Sequence, residues 1–216
     1  VIYIPVAASD KKNLQIINKL KRKNIPVVLA DRGIQDSGFD FVTTNNFEGS
    51  REITQHLINR GHEKIAFLSN KVYSTERLRY DGFISKMKEL KIVQDPSITI
   101  IDKSAFNVNR YLNHAHKILK NKGKFTAVYA GHDRIALLFY AAAKNLGLNV
   151  PEDFSLVGYD NMPLTTVSLT TMHQPIYEMG QESIKLIVAR LNNRLIKTKN
   201  VILKSNLIKR KSVKSI

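Results

Sequence analysis

Strand and helix signals alternate along almost the entire 216-residue chain, and this alternation restricts the fold more than any other feature. "VIYIPV" at 1–6 reads as a buried strand, followed over 11–23 by an amphipathic stretch with Leu14, Ile17 and Leu20 at helical spacing. "IPVVLA" (25–30) is a second strand and "FDFVTTN" (39–45) a weaker third. Asn45 can cap the next helix, with Glu48 three residues on, and that helix carries Ile53, Leu57 and Ile58 before Gly61 ends it. The same beat continues through "KIAFLS" (64–69) and a helix containing Phe83, Met87 and Leu90. "SITIID" (97–102), a helix over 108–119, "FTAVYA" (125–130) and a helix over 134–146 follow in turn. After the strand "FSLV" (154–157) come a long connection through "LTTMHQP", a helix over 176–194, and an extended pair around "VILKS" and "LIKRKS". In that last helix Ile184, Ile187, Val188 and Leu191 form one apolar face.

Short apolar strands alternating with helices of 10–15 residues predict an α/β fold, with parallel sheets covered by helices on both faces. No repeat of solenoid period and no Pro- or Gly-rich linker interrupts the chain. If there are two lobes, ordinary strand crossings must join them.

With no cysteine, the chain has no disulfide framework, thiolate nucleophile or Cys-based zinc site. No apolar run approaches the roughly 18 residues that span a membrane, and no basic-then-apolar leader is present. The chain opens inside a strand and so reads as a fragment from which upstream segments are missing. Its formal charge is +16. That excess suits either a Lys-rich surface or a nucleic-acid footprint, and the scatter of lysines without interleaved aromatics favours the surface. After Glu182 there are no acids, and a basic tail of this kind could attract DNA without reading its sequence.

Polar residues collect just beyond the strands: "NKVYSTERLRYDGF" after the fourth, "KSAF" after the fifth, "GHD" after the sixth and "YDN" after the seventh. In a parallel sheet these segments share one edge, where such folds bind ligands. They bring Arg79, Phe106, His132, Asp133, Asp160 and Asn161 toward one place. A forked donor, an aromatic plate and carboxylate acceptors suit a polyol or a small hydroxyl-bearing ring. Each residue also has a plain structural reading. Arg79 could pair with Glu76 or Asp81, Phe106 could anchor a loop, His132 and Asp133 could start a helix, and Asp160 could cap a turn. Their shared location is the argument for a site.

Catalytic patterns are absent: there is no G-x-S-x-G elbow, no phosphate-binding P-loop and no H-E-x-x-H. His114 and His116 stand two apart, the wrong spacing for a metal pair on one helix face. We expect no enzyme activity, no metal and no cofactor.

"NNFEGSREITQHLINRGHEKIAFLSN", "ERLRYDGF", "YAGHDRIALLFYAAAKNLGLNVPEDFSLVGYDN" and "LTTMHQPIYEMGQESIKLIVARL" resemble, in order, the marker segments of the LacI/GalR family of bacterial transcription regulators. "GHEKIAF" and "VPEDFSLVGYDN" followed by "LTTMHQP" and "MG" are the most specific, and favour the regulators over periplasmic sugar-binding relatives. The resemblance implies a two-lobed, periplasmic-binding-protein-like type I fold with effector between the lobes. It implies an incomplete amino-terminal lobe of 1–61 and 174–203, a carboxy-terminal lobe of 62–173 and 204–216, and three crossings between them. The family's first βα units and DNA-binding head are not in this chain.

By the same resemblance Arg79 grips the effector, Asp160 accepts its hydroxyls, Phe106 lines the pocket and Thr75 adds a polar contact. Asp133 and Asn161 support the site. His132 stands where the family usually has Asn, which points to an unusual effector. The implied function is the effector-sensing and dimerisation core of a cytoplasmic regulator. It would bind a small sugar-like molecule, form a homodimer, reach DNA only through the missing head and not associate with membranes. The alternative is a solute-binding protein of a transporter.

Overall fold

The computed structural model describes every residue except 7, 8, 35 and 164–166. Its elements, in chain order, are β1 (Ile2–Tyr3), α1 (Asp10–Arg22), β2 (Val28–Ala30), β3 (Asp40–Thr44), α2 (Asn46–Ile58), β4 (Ile65–Asn70), α3 (Ser74–Glu89), β5 (Thr99–Asp102), α4 (Val108–Leu119), β6 (Ala127–Ala130), α5 (Asp133–Asn145), β7 (Ser155–Asp160), β8 (Thr170–His173), α6 (Ile176–Asn192), β9 (Asn200–Leu203) and β10 (Asn206–Ile208). Contacts divide the chain into two compact units. The first comprises Val1–Asn45, Val72–Thr75 and Pro175–Ser205, and the second comprises Asn46–Lys71, Glu76–Gln174 and Asn206–Ile216. The division falls at 45 where the family resemblance had suggested 61, because α2 packs against β8 and β10 of the second unit.

The second unit is built on a sheet of order β10-β8-β7-β6-β4-β5, in which only the β10–β8 pair is antiparallel. Alternate residues of its central strands feed two cores. Ala66, Leu68, Val128, Ala130 and Leu156 point toward α4 and α5, while Ile65, Phe67, Ala127, Tyr129 and Val157 point toward α2 and α3. This two-residue alternation between buried faces explains why these strands read as continuous apolar runs. Phe67 is the hub of the second core, stacked on Phe83 at 4.7 Å and edge-on to Tyr129 at 5.0 Å.

The first unit carries an all-parallel sheet of order β1-β2-β3-β9. Ile17 of α1 packs with Val27, Leu29 and Phe41 on one face, and Met179 and Leu186 of α6 pack with Val28 and Val42 on the other. Three features differ from the sequence reading. "VIYIPV" is a two-residue edge strand with Val1, Ile2, Ile4 and Val6 exposed, because β2 alone pairs with it. "FDFVTTN" is an interior strand, paired on both sides and almost wholly buried. β9 and β10 do not pair with each other: β9 joins β3 in the first sheet and β10 joins β8 in the second.

The apolar face of α6 is also reassigned. Ile184, Val188 and Leu191 are 57%, 48% and 58% exposed, whereas Ile187 of the expected face packs with Met179 and Leu186 against the sheet, where Ser183 is also buried. Apolar residues lie on both sides of this helix, so periodicity alone could not choose the buried side.

Candidate functional site

In the second sheet β4 has β5 on one side and β6 on the other, so the strand order reverses there. The carboxyl ends on either side of such a reversal leave an opening that the following loops and helices surround. α3 follows β4, the Gly131–His132 turn follows β6, and β7 ends at Asp160 beside it. Arg79 lies in the second turn of α3.

Arg79 retains 3% of its surface and is held on every side. Its Nε donates to Asn46 Oδ1 at 2.8 Å and its Nη1 to the Gly131 carbonyl at 2.9 Å. Its Nη2 lies 3.1 Å from Asp160 Oδ1, and its guanidinium carbon sits 3.8 Å from the centre of the Tyr159 ring. Burial works against the charge, but Asp160, with Tyr159 and Glu76, holds the guanidinium above its ordinary value. Arg79 is therefore a fixed cation.

Asp160 is the reachable member of the pair, its side chain 25% exposed against 4% for Arg79. Gln174 donates Nε2–H to the same Oδ1 at 2.6 Å. Asp160 is the last residue of β7 and has φ +114°, followed by Asn161 at +55°. Two successive non-glycine residues at positive φ are costly, and such strain collects where surrounding structure holds a functional group in place.

The turn after β6 carries the next group. The His132 ring caps α5, its Nδ1 accepting from the Ile135 N–H at 3.3 Å. In the neutral ring this leaves the proton on Nε2, so helix capping and a donor role coexist in one residue. Phe106 is half-buried, stacked on Tyr111 at 5.1 Å and 5.5 Å from the His132 ring, with the Arg134 guanidinium 4.4 Å from its centre. Asp133 is fully buried, accepting from Thr171 Oγ1 at 2.7 Å and from the Met162 N–H at 2.8 Å. Burial raises its pKa, and those two hydrogen bonds oppose the rise.

Asn161 accepts from Arg210 Nη2 at 2.6 Å, and its Nδ2 lies 3.2 Å from His173 Nδ1. Thr75, the second residue of α3, is buried and groups with the first unit. Arg79 therefore takes Asp160 as its ion-pair partner, while Asp81 faces Lys71 at 4.0 Å. His114 Nε2 lies 3.2 Å from Asp102 Oδ2. Among the described residues no His, Cys, Asp and Glu side chains group to hold a metal, and no helix is long and apolar enough to cross a membrane.

Sequence reasoning missed Asn46, Tyr159, Gln174 and Arg210. A polar residue wedged before a proline, as in the "HQP" of "LTTMHQP", was the available signal for Gln174. Tyr159 stands in the "YDN" run that follows the seventh strand but was given no role there, and nothing local marks Asn46 or Arg210.

Residues 54–213 match the model of the periplasmic binding protein-like domain family. Over 196 residues the chain is 30% identical to the HTH-type transcriptional repressor PurR of Mannheimia succiniciproducens, a match covering 89% of this chain and 58% of that repressor. The PurR repressor of Pectobacterium carotovorum subsp. carotovorum is 33% identical over 196 residues, covering 88% and 57%. The crystal structure of a LacI family transcriptional regulator from Enterococcus faecium with bound ribose superposes with a TM-score of 0.85 at 26% identity, covering 100% of this chain and 80% of that one. The chain thus spans less than two thirds of the length of these curated relatives.

Proposed function

The chain belongs to the periplasmic binding protein-like domain family, in its LacI/GalR regulator branch, and from that premise we propose that it is the effector-sensing core of a bacterial transcription regulator. The effector is a small sugar-like molecule whose hydroxyls are accepted by Asp160, with Arg79 as the fixed cation beside it. Phe106, His132 and Thr75 complete the effector contacts, and Asp133 and Asn161 support them. The observation that carries this reading is the buried Arg79–Asp160 pair at the strand-order reversal, with only its carboxylate reachable. Ribose in the Enterococcus faecium regulator supports the ligand class.

The relatives named above are repressors, which supports a regulator over a transport component. In the whole protein a helix-turn-helix segment outside these residues would meet DNA, and the protein would act as a cytoplasmic homodimer. Effector would favour one conformation over another and so shift an existing equilibrium.

Calorimetric titration of the full-length protein against sugars, polyols and purines tests the site. Asp160→Asn and Arg79→Lys are each expected to weaken effector binding by about ten-fold or more, about 1.4 kcal/mol. Binding indifferent to both substitutions would remove Arg79 and Asp160 from the site.

A further inference from the structure

A pocket of about 180 Å³ lies at the amino ends of β2 and β3, where α1 and α6 finish. Lys21, Gly38, Phe39, Asp40, Arg190 and Arg194 line it, together with the run 25–27. All of them belong to the first unit, whereas Arg79 and Asp160 belong to the second.

Among the described residues Asp40 is the only acid lining this pocket, and both of its oxygens are engaged. Oδ2 accepts from Arg190 Nε at 2.6 Å, and Oδ1 accepts from Arg190 Nη2 at 3.0 Å and the Lys199 N–H at 2.7 Å. Arg190 Nη1 donates to the Arg194 and Ile196 carbonyls at 3.2 and 2.7 Å. Asp40 and Arg190 thus neutralise each other and build the wall. Lys21 and Arg194 are both exposed, and neither has an ion-pair partner among the described residues. Lys21 Nζ lies 5.3 Å from the centre of the Phe39 ring and 3.9 Å from where a Gly38 Cβ would stand. Its charge is therefore held over the pocket wall, and the missing side chain at Gly38 leaves space beside it.

The sign of the surroundings is one-sided. Residues 19–23 and 190–199 each contain four cations and no acid. The carboxyl ends of α1 and α6 oppose them with only about half an elementary charge apiece. A phosphate group carries about −1.5 to −2 charges near neutral pH and three acceptor oxygens. A guanidinium grips such a group with paired donors, and an ammonium binds it as a point charge. The volume is below the roughly 300–1,000 Å³ of sites that enclose drug-sized ligands, so it suits a phosphate and little more.

We propose that this pocket is a second ligand site, which takes the phosphate group of a small molecule, either inorganic phosphate or a simple phosphate monoester. Arg194 and Lys21 are its ligand contacts, and the Asp40–Arg190 pair positions the segment that carries Arg194. Occupancy joins the ends of α1 and α6 and stabilises the first unit by mass action.

Calorimetry of the full-length protein at low salt tests it, with inorganic phosphate and glycerol 3-phosphate as separate ligands. Lys21→Gln and Arg194→Gln change exposed side chains and leave the fold intact. Each is expected to weaken binding about five-fold or more, while Lys117→Gln, which removes an exposed charge from α4 of the second unit, leaves it unchanged. Tighter binding of the ester supports a monoester ligand, and tighter binding of phosphate supports the free ion. Hydrogen exchange locates the site: saturating ligand is expected to slow residues 24–27 and 38–40 about three-fold or more. Slowing at 131–132 and 160–161 instead would place the phosphate beside Arg79 and overturn the proposal. Equal weakening by Lys117→Gln would overturn it too, by showing a diffuse charge effect. Failure of both ligands to bind, with duplex DNA binding that Lys21→Gln and Arg194→Gln weaken, would overturn the pocket in favour of a DNA-facing surface. Failure of both ligands without that loss would leave no site there at all.

Discussion

At Gly158 a Cβ would run into Asp133 Oδ1 and the Leu169 side chain, and Asp133 cannot retreat because it is bound to both Thr171 and Met162. Gly158→Ala is therefore expected to cost about 1–3 kcal/mol in urea unfolding, as overpacking does. His62 gives a pH-dependent counterpart. It is fully buried, with Nδ1 2.9 Å from Thr126 Oγ1 and Nε2 3.1 Å from the Lys214 carbonyl. Burial lowers its pKa, against the pull of the Lys214 carbonyl, and burial with the charges of Lys209 and Arg60 lowers that of His56. Below about pH 6.5 the unfolded chain takes up protons that the folded chain refuses. Stability should hold above that pH and fall below it, by up to about 1.4 kcal/mol per pH unit for each histidine. Denaturation midpoints at pH 7.5, 6.5 and 5.5 should show a shallower fall for His62→Gln, and equal slopes would count against His62 as a cause. At this scale Arg79 and Asp160 stood out in the sequence because chemistry-bearing types followed apolar strands. Asn46 and Gln174 did not, since their partners lie 33 and 14 residues away and only packing brings them close.

Among elements, α6 shows what a hydrophobic pattern leaves open. Its inward residues are Met179, Ser183 and Leu186, and its exposed stripe includes Ile184, Val188 and Leu191. Leu186→Ala is expected to destabilise by about 2–5 kcal/mol, as a buried truncation does, and Leu191→Ala by about 0.5 kcal/mol or less. Comparable losses from the two in urea unfolding would mean that the exposed face is packed in the working protein. The end of α6 is anchored by a charge that sequence could not pair. Arg190 Nε and Nη2 contact the Asp40 carboxylate at 2.6 and 3.0 Å, and the same carboxylate accepts from the Lys199 N–H at 2.7 Å. This bond set ties the start of β3 to the turn leading into β9, two strands that lie side by side.

For the whole molecule, the two units differ in how well each sheet is enclosed. The second has cores on both faces of its central strands, and the first ends in an exposed two-residue edge strand. Hydrogen exchange should accordingly be slowest over Ile65–Asn70 and Ala127–Ala130 and faster over Val28–Ala30. The reverse order would show that the first sheet is the more stable part of this 216-residue chain.

The alternation of strands and helices, the α/β class and the sheet edge that gathers the polar groups were determined by the sequence alone. They rest on spacings of two to four residues, which backbone geometry converts directly into strand and helix. Tertiary structure alone decided which side of α6 is buried, which strands β9 and β10 join, and that Arg79, Asp160, Asn46 and Gln174 form one bonded group. Those outcomes depend on register between segments far apart in the chain, and such register is set when whole sheets and helices pack, not by any local run of residues.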